Sequence, residues 1–398
     1  MKKFFFLAAA VVAITASCSK SEVINAPAAE TPITFNPYSG RTPETKATIA
    51  TIDDLAASGF QVYAFMDNTT ADAIVEGTGT NQADKPYMDK EVTSEDGENW
   101  TYSGNIYWPA SNYLDFVAYG LNANVTEDQT VRTKIYYTIP ETVSEQKDLL
   151  VAAPIIDERL DQSAQADETA STVNLQFSHL LSRVGFSLVT EGAGQTLVTL
   201  TQVDLIGNFN TECEVDLTAT RDYTVNGNVV KRPYVSPKAG TTAAARTYKL
   251  LGEVIGGTAA DDGSFTGFGS ATGEAVYNNA ALYDLTNADD RNKISFVANG
   301  TAKDDTAEAN RFMMIYPQTW AEGDFAKLQV TYFLPGYGEF QTLTIDLKNG
   351  DDAINFEPGK SYEFKFKVST YEIGFEATVE AWDTATGIAA GKETFILC

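Results

Sequence analysis

The sequence predicts an all-β protein, and three observations carry that prediction. Apolar and polar residues alternate with a period of two in many short runs, clusters of Gly, Asn and Asp separate those runs as turn residues do, and apolar residues at helical spacing are scarce. Many short strands joined by turn chemistry point to β-sandwiches with Greek-key-like connections. With 43% hydrophobic residues, including 22 Phe and 19 Tyr among 398 residues, the chain can bury substantial cores, and its length suits two domains of ordinary size.

Taken in order, Lys2 and Lys3 precede an apolar run from Phe4 to Ile14 that is too short to span a bilayer. Residues 1–17 therefore read as an export signal. The polar stretch "NPYSGRTPETKATIA" (Asn36–Ala50) follows, carrying two basic residues, Arg41 and Lys46, just ahead of the first hydrophobic pattern. "TIDDLAASGF" suits one short helix capped by Thr51 and ended by Gly59, after which "FQVYAF" returns to strand. "DERLDQSAQADETAST" (Asp157–Thr172) holds almost no large apolar residue and reads as a boundary between two strand-rich halves, or a long loop beside it. The expected division is thus 18–46, 47–165, 166–370 and a closing segment 371–398.

In the second half, "GEVIGGTAADDGSFTGFGSATG" is Gly-rich and expected as an exposed loop. "KLQVTYFL", "TLTIDL" and "FEATVEAW" each alternate as strands do. The cleanest case is "YEFKFKV", where Tyr362, Phe364, Phe366 and Val368 face one way and Glu363, Lys365 and Lys367 the other. The sequence closes on an apolar tip, Phe395, Ile396 and Leu397, behind "GIAAGK". Such a tip either returns to its own domain as a last strand or serves as a sticky end for another chain.

Charge and composition narrow the function. The net charge is −26, and without residues 1–46 the chain keeps 23 basic against 51 acidic residues, or −28. A surface so acidic repels nucleic acid and anionic lipid. Three cysteines do not make a disulfide framework; Cys213 and Cys398 pair only if the chain end folds back, and a buried Cys213 beside an idle Cys398 is the simpler reading. The one histidine, His179, lies among apolar residues and reads as a hydrogen-bonded structural group, not a catalytic base. Zinc needs several His or Cys at close spacing, and the Asp-Asp pairs beginning at Asp53, Asp261, Asp289, Asp304 and Asp351 lack calcium-loop spacing. Gly267, Gly269 and Gly273 miss the dinucleotide-binding spacing by one residue. No catalytic residue, metal ligand or cofactor is expected. Rows of alternating Tyr and Phe read as the inward faces of sheets, not as platforms for sugars.

"IYWPASNYLDFVAYGL", "DLLVAAP", "LQFSHLLSRVGFSL", "MMIYPQT", "FEPGKSYEFKFKV" and "VEAWD", in this order behind "TASCSKSE", together resemble the fimbrillins of the Bacteroidales, the subunits of type V pili. "TASCSKSE" resembles a lipobox, although Thr15 stands where that pattern prefers Leu. "IYWPASNYLDFVAYGL" (Tyr107, Trp108, Pro109, Phe116, Ala118, Tyr119) and "DLLVAAP" resemble landmarks of the family's first domain. "LQFSHLLSRVGFSL" (Phe177, His179, Leu180) resembles the phrase that opens its second domain. "MMIYPQT" (Pro317, Gln318), "FEPGKSYEFKFKV" (Pro358, Gly359, Tyr362) and "VEAWD" resemble later landmarks.

The resemblance implies two tandem transthyretin-like β-sandwiches, acylation of Cys18 with anchoring in the outer membrane, and delivery to the cell surface as part of a fimbrium. It implies cleavage by a surface protease specific for Arg or Lys, at Lys46-Ala47 or at Arg41-Thr42, that releases a first strand formed by Ile33, Thr34 and Phe35. It implies polymerisation with other pilin subunits by donor-strand exchange, for which Phe395, Ile396 and Leu397 are the expected donor. A stalk subunit is the expectation; a tip adhesin, a monomeric glycan-binding surface lipoprotein and a hydrolase are the rivals.

Overall fold

The computed structural model describes residues 31–39, 55, 58–67, 85–110, 112–142, 145–160, 171–191, 199–225, 228–249, 258–259, 265–266, 294–295, 312–333, 340–349, 351–369, 373–381 and 393–397. The protein is all-β. Its first ten strands are β1 (Thr34–Ser39), β2 (Phe60–Asp67), β3 (Met88–Ser94), β4 (Trp100–Tyr102), β5 (Tyr113–Gly120), β6 (Val125–Glu127), β7 (Lys134–Thr138), β8 (Leu150–Ala152), β9 (Ile155–Glu158) and β10 (Thr172–His179). Eight of them form one sheet in the order β1-β10-β8-β5-β2-β3-β4, with β9 set against β5.

β2 and β5 run antiparallel near the middle of this sheet, from Phe60 opposite Gly120 to Asp67 opposite Tyr113. Both faces of the pair are apolar. Phe60, Val62, Ala64, Leu114, Phe116 and Ala118 belong to one core, while Tyr63, Phe65, Val117 and Tyr119 belong to another. Strands that are apolar on both faces must be covered on both, so the sheet lies between two cores.

The sheet curls around the first core until its ends meet. β1 and β4, the two ends of the hydrogen-bonded order, touch each other. Tyr102 on β4 donates its hydroxyl to the Ile33 carbonyl at 2.8 Å. The two ends thus meet through side chains, which covers the core between them without a backbone ladder joining β1 to β4. The expected helical turn ends on Gly59, whose N–H donates to the Leu55 carbonyl at 2.7 Å. Gly59 has φ +79°, and a Cβ there would stand 2.6 Å from the Val92 carbonyl, so only glycine fits. Thr51, the expected cap, lies outside the described residues.

The later strands are β11 (Ser182–Glu191), β12 (Thr199–Phe209), β13 (Glu212–Asp216), β14 (Thr220–Val225), β15 (Asn228–Pro233), β16 (Ser236–Pro237), β17 (Ala244–Lys249), β18 (Thr258–Ala259), β19 (Phe265–Thr266) and β20 (Ile294–Ser295). After them come β21 (Phe312–Ile315), β22 (Lys327–Phe333), β23 (Phe340–Asp346), β24 (Lys348–Asn349), β25 (Asp352–Ala353), β26 (Lys360–Ser369), β27 (Ile373–Ala381) and β28 (Glu393–Leu397). They pair as β20-β11-β26-β27-β28 with β21 beside β11, as β17-β12-β22-β23, and as β16-β13-β7-β6. The alternating runs fall where expected: β26 carries "YEFKFKV" with Tyr362 and Phe364 buried, and β22 buries Leu328 and Val330. Of the Gly-rich stretch expected as a loop, only the short ribbon β18-β19 is described.

The chain does not divide its sheets at residue 165. β10 follows that point yet pairs with β8 and β1 in the first sheet, and β7 precedes it yet pairs with β13 from Ile135 opposite Val215 to Thr138 opposite Glu212. The second core accordingly joins Tyr63, Val117, Tyr119 and Ile135 to Leu205, Phe209, Leu328 and Phe364. The buried Val173, Leu175 and Phe177 of β10 belong to the first core and hold the strand there.

Candidate functional site

β1 is the strand that closes the first core. It lies parallel to β10, from Thr34 opposite Thr172 to Ser39 opposite Phe177. On its other side the chain before it is held by Ile106, Tyr107 and Trp108: Ile33 N–H donates to Ile106 O at 2.9 Å, Trp108 N–H donates to Thr31 O at 3.0 Å, and Pro32 bridges Tyr107 antiparallel. The entry to the strand, Thr31 to Ile33, is thus held on this side, and β1 itself runs on along β10.

The side chains of this segment alternate between the core and the outer face. Ile33 and Phe35 are 1% and 6% exposed and enter the first core. The Phe35 ring meets Phe60 at 6.0 Å, Tyr102 at 6.0 Å and Phe116 at 6.1 Å between centroids, each edge to face. Trp108 closes the floor against Phe116 at 5.8 Å and donates its indole N–H to Ser171 O at 3.2 Å. Outward, Thr34 Oγ1 and Thr172 Oγ1 share a hydrogen bond at 2.9 Å, and Asn36 Nδ2 donates to Asn174 Oδ1 at 2.9 Å. Burial pushes the Tyr38 and Tyr102 phenols above their ordinary pKa, which keeps both neutral at pH 7.

Removing β1 has two costs. Ile33 and Phe35 contribute about 1.5–3 kcal/mol each through burial. The peptide groups of β10 and of the 106–108 wall lose their partners as well, at about 1–3 kcal/mol for each that stays dry. An emptied groove of this kind binds another extended strand, main-chain hydrogen bonds giving affinity and alternate side chains filling pockets.

The expected donor lies elsewhere. β28 sits at the end of the β20-β11-β26-β27-β28 sheet, antiparallel to β27, with Phe395 opposite Ala377 and Leu397 opposite Phe375. The tip thus rests on its own chain, and not in the groove beside β10. Cys18, Arg41, Thr42, Lys46 and Ala47 lie outside the described residues. β1 stops at Ser39, two positions before Arg41 and seven before Lys46.

Other chemistry is sparse. His179 Nδ1 is hydrogen-bonded to the Asp148 carboxylate, whose side chain has 0% exposure, and the ring is 12% exposed. The nearby recess, about 200 Å³, is lined by Ser58, Gly120, Asn122, Lys147 and Asp148. Cys213 is a buried thiol whose pKa burial raises well above the ordinary value, which makes it inert. Among the described residues no group of three His, Cys, Asp or Glu side chains is placed to hold a metal ion. Sequence reasoning named Ile33 and Phe35 but missed Tyr102, Phe60 and the Thr172–Asn174 ladder. Their involvement depends on closure of the sheet, for which no local pattern exists.

Comparison with known proteins fits this geometry. The model of a family described as fimbrillin-like matches residues 45–382, so β1 and β28 flank the matched region. Among solved structures, a fimbrial protein of Bacteroides vulgatus ATCC 8482 is 16% identical, covers 88% of this chain and 99% of its own, and superposes with a TM-score of 0.53, which shows a shared fold. A candidate cell adhesion protein of Bacteroides uniformis ATCC 8492, also 16% identical, covers 89% and 100% at a TM-score of 0.47. No curated protein matches the chain.

Proposed function

We propose, from the premise that this chain belongs to the fimbrillin-like family, that it is a structural subunit of a surface pilus, in the stalk, and not an enzyme. In this reading the precursor is a lipoprotein acylated on Cys18 and carried to the outer membrane. A surface protease specific for Arg or Lys cuts after Lys46, or after Arg41, and β1 leaves. The opened groove is then filled by the C-terminal strand of another copy, and repetition of this heterologous contact grows a filament that supports adhesion.

One observation carries the proposal. β1 is the sealing strand of the first core, and in the sequence it precedes the two basic residues Arg41 and Lys46. A strand that merely completed a domain would gain nothing from a neighbouring protease site; a plug that must be withdrawn needs one. The family match begins at residue 45, beside Lys46, which agrees with a functional unit that starts there. The test is treatment of the purified full chain with a trypsin-like protease. The expected result is a core beginning at Ala47, or at Thr42, that forms ladders resistant to denaturant. A trimmed core that stays monomeric and well folded overturns the proposal and favours the monomeric lipoprotein.

A further inference from the structure

We infer that the incoming strand docks in one register, with Thr394 of a second copy in the place of Thr34 and Phe395 in the place of Phe35, parallel to β10. This inference rests on the strand-exchange reading. It adds to that reading which side chain enters which pocket.

The sequence contains the pair Thr-Phe twice in 398 residues, at Thr34-Phe35 inside β1 and at Thr394-Phe395 inside β28. In β1 the two residues have separate tasks. Phe35 fills the pocket made by Phe60, Tyr102 and Phe116, and Thr34 shares a hydrogen bond with Thr172 on the outer face. A second Thr-Phe pair at the same places restores both contacts. Leu397 then falls on the buried position of Pro37, where its N–H adds a donor that proline lacks. Ile396 falls on the position of Asn36.

Other registers fail on side-chain grounds. Slipping by one residue turns Phe395 and Leu397 outward and leaves the core facing Thr394 and Ile396. Slipping by two towards the start of β10 puts Phe395 in the Ile33 site and Leu397 in the Phe35 pocket, overfilling one and underfilling the other. Slipping by two the other way puts Glu393 in the Phe35 pocket, a carboxylate among aromatic rings. Residues 382–392 lie between β27 and β28 in the sequence and, fully extended, would reach at most about 36–40 Å.

Cysteine pairs read the register directly. All variants carry Cys398→Ser, and each combines Thr172→Cys with one further cysteine. Thr172→Cys with Thr394→Cys, cut and oxidised, is expected to give a covalent ladder that reductant collapses, at least tenfold more abundant than with Ile396→Cys or Lys392→Cys. Those last two substitutions report the two-residue slips, so a dominant ladder from either overturns the register while exchange stands. Thr34→Cys with Thr172→Cys tests exchange itself, because oxidation before cutting tethers β1 in its groove. Assembly should then stop and resume on reduction. Unimpeded assembly of the tethered protein would overturn exchange at this groove, and the register with it.

Discussion

β1 and β28 are both short strands near the ends of the sequence, but they are held in opposite ways. β1 lies parallel to β10, and the residues just before it, Thr31 to Ile33, are bonded to residues 106–108 on the other side, with Ile33, Phe35 and Tyr38 buried. β28 lies at the end of its sheet, antiparallel to β27. Parallel pairing is slightly weaker per residue than antiparallel pairing, so the hold on β1 comes from its side chains and its closing position. Loss of β1 opens a core, whereas loss of β28 trims an edge. In the strand-exchange proposal, β1 is the strand that seals and β28 the strand that is lent.

The sharpest way to break this comparison is to delete residues 393–397. If β28 serves other copies, the cut protein should form no filaments by electron microscopy, while the uncut monomer should melt within a few degrees of the parent. A large fall in monomer stability would mean that β28 belongs to its own fold as firmly as β1 does. Next in size is Phe35→Ala, which empties the aromatic pocket. Urea unfolding of the uncut chain should show a loss of about 3–5 kcal/mol, as for other buried phenylalanines. If β1 leaves on cleavage as proposed, the same substitution should leave the assembled polymer unchanged, because Phe35 leaves with it.

A third effect follows from pH. Tyr38 and Tyr102 line the seal of β1, and burial raises both phenol pKa values above 10. A group whose folded pKa is raised contributes stability that is fully present below the unfolded value and is lost as pH rises through the folded one. The seal should therefore loosen above about pH 10, where tyrosine ionises in the unfolded chain. Protease sensitivity at Arg41 and Lys46, followed from pH 7 to 11, should report opening of β1 before global unfolding. Tyr102→Phe also removes the hydroxyl bonded to the Ile33 carbonyl, at a cost of about 1 kcal/mol at neutral pH, and should flatten this alkaline dependence.

These contrasts also show what a sequence can disclose. β26 was legible because "YEFKFKV" alternates apolar and polar residues with a period of two, and its described apolar members Tyr362 and Phe364 are buried. β5 was not legible in that way, because "YLDFVAYG" is buried on both faces and its alternation is gone; only resemblance marked it. The polar run Asp157–Thr172 does not mark where strand pairing divides, because β10 beyond it pairs with β8 before it, and polarity does not say which strands pair. At the site, Ile33 and Phe35 showed their apolar spacing. The Tyr102 hydroxyl and the Thr172 ladder arise from closure between residues about 70 and 138 positions apart, which no local window reports.

The smallest prediction separates the resident strand of the groove from the proposed incoming one. Asn174 accepts a hydrogen bond from Asn36 in the uncut chain, and Thr172 shares one with Thr34, both on the exposed face. Cross-strand polar pairs of this kind contribute roughly 0.2–1 kcal/mol. If Thr394 replaces Thr34 and Ile396 replaces Asn36, Thr172→Ala should weaken the uncut chain and the polymer by similar amounts, because both occupants present a hydroxyl there. Asn174→Ala should weaken only the uncut chain, because isoleucine gives that amide no partner, and the alanine methyl beside Ile396 should leave the polymer as strong or slightly stronger. Paired unfolding curves of cut and uncut protein check this. Equal losses for Asn174→Ala in both would place a polar side chain, not Ile396, opposite it in the polymer.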